Sequence, residues 1–278
     1  MWYSYYLFCH NFEKHDELIT SLGKFMDKLI KNNKIEKWFF IRYWLGGPHI
    51  RVRFFSSNIM DGELLAIEEI LKKLNQDNRD NLLKKEVFYQ YNKAAKDEIE
   101  IQESEYPWFN NGEVVSTEYI QEINRYGGKN LISESEQGFY YSSKMAIKLL
   151  QKNQIEKIII STSIIRYFIR ELIENRFVFF RELISRWKET FDIDIQENLA
   201  EVLRKQVEKI NLDRVVGAVY DEDFDNYLAR LQIIKNQVSE QYFWSILISH
   251  FHMFHNRLGI SPMVELHIYN ILFLKEKK

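Results

Sequence analysis

Three short segments, far apart in the chain, hold residues whose types and spacing suit proton transfer beside an anion. In the first, Gly46-Gly47-Pro48-His49-Ile50-Arg51-Val52-Arg53-Phe54, polar and apolar residues alternate. An extended strand sends alternate side chains to opposite faces. His49, Arg51 and Arg53 therefore share one face, and Ile50, Val52 and Phe54 the other. Arginine's planar fork meets a carboxylate through two parallel N–H bonds, so this face suits an anion, although the polar face of a half-buried strand can also simply be solvated. In the second segment, Tyr119–Gly128, Glu122 and Arg125 stand three apart, as neighbours on a short helix do. Gly127-Gly128 reads as that helix's stop, and a surface ion pair alone would give the same spacing. The third segment is His252-Met253-Phe254-His255-Asn256-Arg257-Leu258-Gly259. At 100° per residue Phe243, Leu247, His250, Phe254 and Leu258 share one helix face, while Ser245, Ser249, His252 and Asn256 form a second stripe. A helix apolar over most of its surface is buried, so a small-polar stripe on it points to a wet cavity; a histidine satisfied inside the core is the plainer alternative. Together the segments are expected to bring Arg51, Arg53, Glu122, Arg125 and His252 to one pocket. There the arginines hold a carboxylate and the histidine moves a proton.

Other chemistries find little support. His252 and His255 share a helix side but His250 points away, and with no HExxH and no cysteine partner no metal is expected. P-loop, GxGxxG and GxSxG motifs are missing. The single cysteine, Cys9, forms no internal disulfide and reads as a small buried hydrophobe on a strand.

The elements that must position these residues follow from periodicity. Residues 2–9 read as an aromatic-rich strand. Helical spacing of Leu18, Leu22, Phe25, Met26, Leu29 and Ile30 predicts a helix over 15–31. Residues 36–44 and 49–55 read as a hairpin around Gly46-Gly47-Pro48, residues 62–75 as a helix, and Glu86–Tyr91 as a fourth strand. The order βαββαβ is the ferredoxin-like pattern. After about residue 115 helical periodicity dominates, roughly over 116–125, 133–151, 155–174, 177–189, 195–209, 223–236, 239–257 and 261–275. The expected class is α+β: a ferredoxin-like part over 1–95 packed on a mostly helical part over 115–278. The whole chain, 1–278, would be one unit with a ligand cleft between the halves.

With 278 residues, 46% hydrophobic and 28% charged, the composition is that of an ordinary globular protein. A formal net charge of −2 gives no overall basic field to draw nucleic acid. There is no run of about eighteen apolar residues, so no membrane span is expected. One cysteine and no signal peptide point to the cytoplasm.

Taken together, FIRY…GGPHIRVRF, EINRYGG and HMxxNRLGI, in this order and spacing, resemble the C-terminal domain of class I lanthipeptide dehydratases. That domain also occurs as stand-alone thiopeptide-type bacteriocin biosynthesis proteins. The resemblance covers essentially the whole chain and begins at Trp2, as for a free-standing member or a split dehydratase half. It implies that a separate protein transfers glutamate from glutamyl-tRNA onto Ser or Thr of a precursor peptide. This domain then eliminates the glutamate to leave dehydroalanine or dehydrobutyrine. Residue by residue, the arginine ending the family's HxRxR segment corresponds to Arg53, the ExxRYGG pair to Glu122 and Arg125, and the histidine of HMxxNR to His252. Gln121 departs from the arginine of many members. The resemblance implies Arg53, Arg125 and His252 as catalytic, with Arg51, His49, Glu122 and Asn256 at the substrate. It calls for no metal or organic cofactor, and for a precursor peptide and a glutamylating protein as partners. A sibling branch makes thiopeptide pyridine rings by a formal [4+2] cycloaddition of two dehydroalanines, generally without this Arg/His set. A third reading is a non-catalytic scaffold that binds the precursor peptide.

Overall fold

The computed structural model describes residues 1–57, 59, 61–76, 83–91 and 106–277. The chain divides into two compact units, Met1–Ile120 and Gln121–Lys278.

The first unit runs β1 (Trp2–Phe8), α1 (His15–Lys31), β2 (Lys37–Tyr43), β3 (His49–Phe55), α2 (Asp61–Gln76), α3 (Lys85–Tyr91) and β4 (Val114–Thr117). The strands form one sheet in the order β2-β3-β1-β4, and every neighbouring pair is antiparallel. This is the ferredoxin-like order expected from the sequence. Register decides which side chains share a face. Tyr5 lies opposite Val52, Leu7 opposite Ile50, and Phe40 opposite Val52, so these residues line one side. The two long helices lie on that side: Arg42, on the same face of β2 as Phe40, pairs with Asp16 of α1, and Tyr5 lies near Glu68 and Lys72 of α2. Ile50, Val52, Phe54, Trp38 and Phe40 are fully buried there. His49, Arg51 and Arg53 project from the opposite side, with Tyr6, Phe39 and Tyr43. The β2–β3 turn needs Gly46 and Gly47 at φ 91° and 106°, and a Cβ on Gly47 would stand 2.8 Å from His10 Nε2.

Two local expectations are corrected. Glu86–Tyr91 is not the fourth strand but most of helix α3. Its aromatics, Phe88 and Tyr89, pack against Tyr106 and Trp108, and the Tyr89 hydroxyl bridges the Gly46 N–H and the Pro107 carbonyl. The strand that closes the sheet is Val114–Thr117, paired with Ser4–Leu7 and joined by a hydroxyl contact between Ser4 and Thr117.

The second unit is helical: α4 (Ile132–Leu149), α5 (Gln154–Leu172), α6 (Arg176–Phe191), α7 (Glu197–Glu208), α8 (Leu212–Val219), α9 (Glu222–Lys235), α10 (Glu240–Leu258) and α11 (Pro262–Glu276). Their ends carry the expected signals. Asn153 and Glu156 form a capping box on α5, Ser261 caps α11 with Pro262 in its first turn, and Gly259 ends α10 at φ 72°. Helix α8, eight residues long, was not expected. The expected helix over 116–125 is instead β4 followed by a chain of turns through residue 131. Among the described residues no helix is long and apolar enough to cross a membrane.

Candidate active site

Burial along α10 follows the two stripes anticipated from the sequence. Phe243, Leu247, His250, Phe254 and Leu258 are buried, whereas Ser245, Ser249, His252 and Asn256 all keep some exposure. The serines are not idle. Each donates its hydroxyl to the carbonyl four residues back, Ser245 to Gln241 at 3.2 Å and Ser249 to Ser245 at 3.0 Å. Their lone pairs remain for a donor, and in both cases that donor is an arginine. Arg125 Nε meets Ser249 Oγ at 3.1 Å, and Arg186 Nη1, from α6, meets Ser245 Oγ at 2.8 Å. Each guanidinium also pairs with a carboxylate, Arg125 with Glu122 at 2.9 Å and Arg186 with Glu182. The Glu122–Arg125 pair expected on a helix therefore exists, but on a turn. Its geometry is set by backbone bonds from Arg125 to Glu122 and from Gly128 to Ile123, and by the Tyr242 hydroxyl of α10 donating to the Asn124 carbonyl at 2.6 Å.

His252 sits one turn beyond Ser249. Its ring packs edge-on against Trp187 at 5.1 Å and tilted against Phe191 at 5.5 Å, both from α6. Its Nδ1 lies 2.9 Å from Glu265 Oε1 on α11. The histidine side chain is 12% exposed and the glutamate 0%, so the imidazole stands between a closed interior and an open side. His255, fully buried, places its Nδ1 3.1 Å from Glu265 Oε2 and its Nε2 2.9 Å from Ser161 Oγ. Tyr269 donates its hydroxyl to Oε2 at 3.2 Å. Burial pushes the Glu265 carboxyl upward, but His252 and His255 outweigh it and the net shift is downward. The buried group is thus a carboxylate. Burial, reinforced by that carboxylate, drives the Tyr269 phenol well above its ordinary value.

His250 faces the other way, onto Tyr227 and Ser135, and burial takes it down to about 3. Among the described residues no cluster of His, Cys, Asp and Glu suits a metal ion.

In the first unit, Arg51 is stacked between Tyr43 and Tyr6, its guanidinium carbon 3.4 and 4.4 Å from the ring centres. His49 is expected from the sequence to stand at the substrate. It is fully buried, its Nδ1 lies 2.7 Å from the Gly47 carbonyl, and its Nε2 accepts from Arg51 Nε at 3.1 Å. Both ring nitrogens are used, and through Nε2 the ring positions Arg51. Arg53 lies over Tyr119 at 4.6 Å and near Phe39 at 5.6 Å. Among the described residues no carboxylate pairs with Arg53, and its buried Nε has no hydrogen-bond partner. A desolvated guanidinium N–H left unpaired is costly, and an anionic ligand would satisfy it. Gln121, where an arginine is common in the resembling family, donates to the buried carboxylate of Glu136 at 2.6 Å.

The sequence did not single out Glu265 or Arg186. Glu265 had a signal, a lone acid inside the apolar run Met263-Val264-Glu265-Leu266. Arg186 had none beyond its spacing from Glu182.

The family model for the lantibiotic biosynthesis dehydratase C-terminal region matches residues 2–275, and the chain belongs to that family. No curated protein matches. Among solved structures, the chain resembles the tRNA-dependent lantibiotic dehydratase MibB from Microbispora sp. 107891 at 18% identity and TM-score 0.60. That match covers 100% of this chain and 28% of the dehydratase, so the chain spans little more than a quarter of that protein's length. It also resembles the pyridine synthase TbtD from thiomuracin biosynthesis, at 12% identity and TM-score 0.63, covering 98% of this chain and 96% of the other. TsrL is similar at 12% identity and TM-score 0.52, covering 100% and 94%. At these identities the likeness is one of fold.

Proposed function

We propose that this member of the lantibiotic dehydratase C-terminal family removes glutamate from glutamylated Ser or Thr residues of a ribosomally made precursor peptide, leaving dehydroalanine or dehydrobutyrine. The observation that carries the reading is the partly exposed imidazole of His252, backed by a buried carboxylate and flanked on its own helix by serine-anchored arginines. That is the equipment of a base beside an anion site. His252 takes the Cα proton, the electron pair forms the Cα=Cβ bond, and the Cβ–O bond breaks. Glutamate leaves with the bonding pair as a carboxylate, so the leaving group needs no proton. Arg53 and Arg125 bind the glutamyl carboxylate and stabilise charge on the departing oxygen. Glu122 orients Arg125; Arg51 and Asn256 contact the peptide or the glutamyl group. Glutamylation is assigned outside these 278 residues, since their net charge of −2 gives no general field for tRNA.

Purified protein given chemically or enzymatically glutamylated peptide is expected to yield dehydroamino acids without ATP or added metal, and in the presence of a chelator. Given unmodified peptide, glutamate, ATP and tRNA, it is expected to yield nothing. His252→Ala or Arg53→Ala, co-expressed with precursor and a glutamylating enzyme, should let glutamylated peptide accumulate, each retained ester being visible by mass spectrometry. Full dehydration by both variants would remove these roles. A ring-closed product from a peptide already bearing two dehydroalanines would favour pyridine formation instead, and tight binding of unmodified peptide without turnover would favour a scaffold.

A further inference from the structure

A base that takes a proton through one ring nitrogen must carry its own proton on the other. Of the two histidines on Glu265, His255 is enclosed, with both nitrogens in hydrogen-bond range of Ser161, Tyr269 and the carboxylate. His252 alone reaches the open side. The carboxylate accepts only, because it is ionised, so each Nδ1 turned to it is an N–H. Oε1 takes His252, while Oε2 takes His255 and the Tyr269 hydroxyl. Ser161 Oγ, 2.9 Å from His255 Nε2, can donate to it, and the carboxylate is satisfied three times. The Oε2 partners hold the carboxylate with Oε1 turned to His252.

We propose that Glu265 is the positioning residue of the elimination: it fixes His252 in the Nδ1–H tautomer, leaves Nε2 as the nitrogen that takes the Cα proton, and stabilises the imidazolium that forms. His255 and Tyr269 hold Glu265 in place. Helix α6 contributes Trp187 and Phe191 to the His252 ring, neither of which titrates; among the described residues Glu265, with its partners His255 and Tyr269, is the titratable cluster on the Nδ1 side of His252, and Arg125 and Arg186 add fixed positive charge along the same helix at Ser249 and Ser245. This inference rests on the elimination reading for its kinetic arm and on the geometry alone for its spectroscopic arm.

The test is Glu265→Gln, which keeps the shape and can still accept a hydrogen bond but removes the charge. For a supporting carboxylate, kcat on glutamylated peptide is expected to fall about 10- to 100-fold. KM should be unchanged, and the acid limb of the pH–rate profile should move to lower pH because the imidazolium loses its counter-charge. In wild-type protein labelled with 15N-histidine, His252 should show the Nδ1–H tautomer at neutral pH. Wild-type kinetics and an unmoved acid limb in Glu265→Gln would overturn the proposal. So would an Nε2–H tautomer of His252 in the wild type, a measurement that stands even where the variant fails to fold. Wild-type protein that leaves glutamylated peptide intact would instead remove the elimination reading, and the tautomer would still decide what Glu265 does.

Discussion

Arg186 and Arg125 reach α10 from different parts of the second unit and end in the same arrangement: one N–H on a serine and another on a carboxylate. The two serines are one turn apart, so the guanidiniums form a short cationic row leading to His252. Arg125 was named by a motif; Arg186 has the same geometry without one. If the row binds the glutamyl carboxylate, Arg186→Ala should raise KM for glutamylated peptide about tenfold, since a hydrogen bond to a charged group contributes about 1.5–3 kcal/mol. Its effect on kcat should be small. Arg186→Lys should restore little, because a point charge cannot bond Ser245 and Glu182 in the same plane. Steady-state kinetics across a peptide concentration series decide this, and an unchanged KM would reduce Arg186 to a surface ion pair. The contrast with Glu265 shows what a sequence displays at this scale. A lone acid in an apolar run is visible because burying it unpaired is so costly. An arginine on a helix rich in charges is not visible, because nothing in its neighbours marks which one faces a partner.

Among elements, the turn segment between β4 and α4 is held by conformation more than by burial. Gly127 has φ 99°, and a Cβ there would stand 2.7 Å from Leu131 Cβ. Gly127→Ala therefore faces both a left-handed backbone and a clash with the residue before α4, a cost of about 1–3 kcal/mol for the backbone alone. The segment carries Glu122, Gln121 and Arg125, so the variant should lose turnover as well as melting temperature. Gly128→Ala shares the positive φ but has nothing within 4 Å of the added carbon, and should be the milder of the two. Thermal unfolding of both variants, with turnover measured well below the midpoint, separates strain from displacement of Arg125; equal loss in the two would contradict the clash. The same stretch shows where periodicity misleads. Val114–Thr117 is a four-residue edge strand with no room to display alternation, and the turns after it mimic helical spacing. Lys85–Tyr91 has the β-branched and aromatic content of a strand, yet Phe88 and Tyr89 gain more by packing on Tyr106 and Trp108 as a helix. The long helices and the first three strands were legible because each buries one full face, and burial is what writes a period into a sequence.

At the scale of the whole molecule, each unit encloses histidines that must stay neutral. In the first, His15 Nε2–H donates to the Cys9 carbonyl at 2.7 Å, and burial takes the ring down to about 4. Burial likewise takes His49 to about 3, with Arg51 adding to the shift. In the second, burial followed by Arg257 and Arg125 takes His250 to about 3. The unfolded value is 6.5 for all three. Between the folded and unfolded values the unfolded chain binds more protons, so stability rises with pH across that window. The contribution is complete above pH 6.5 and is lost progressively as the pH falls toward 4 and then 3. At pH 5 the loss is on the order of 2 kcal/mol for each histidine, from about 1.4 kcal/mol per pH unit below 6.5. His15 and His49 repel when both are charged, so their losses do not simply add. Glu265 is silent in this range: its folded value lies below the ordinary 4.5, so its contribution is complete above 4.5 and falls away only below it. Melting midpoints should therefore drop steadily from pH 7 to pH 5. Hydrogen exchange, corrected for its intrinsic pH dependence, should show lost protection in β3 around His49 and in α10 around His250. A flat midpoint across that range would mean that these rings accept protons in place.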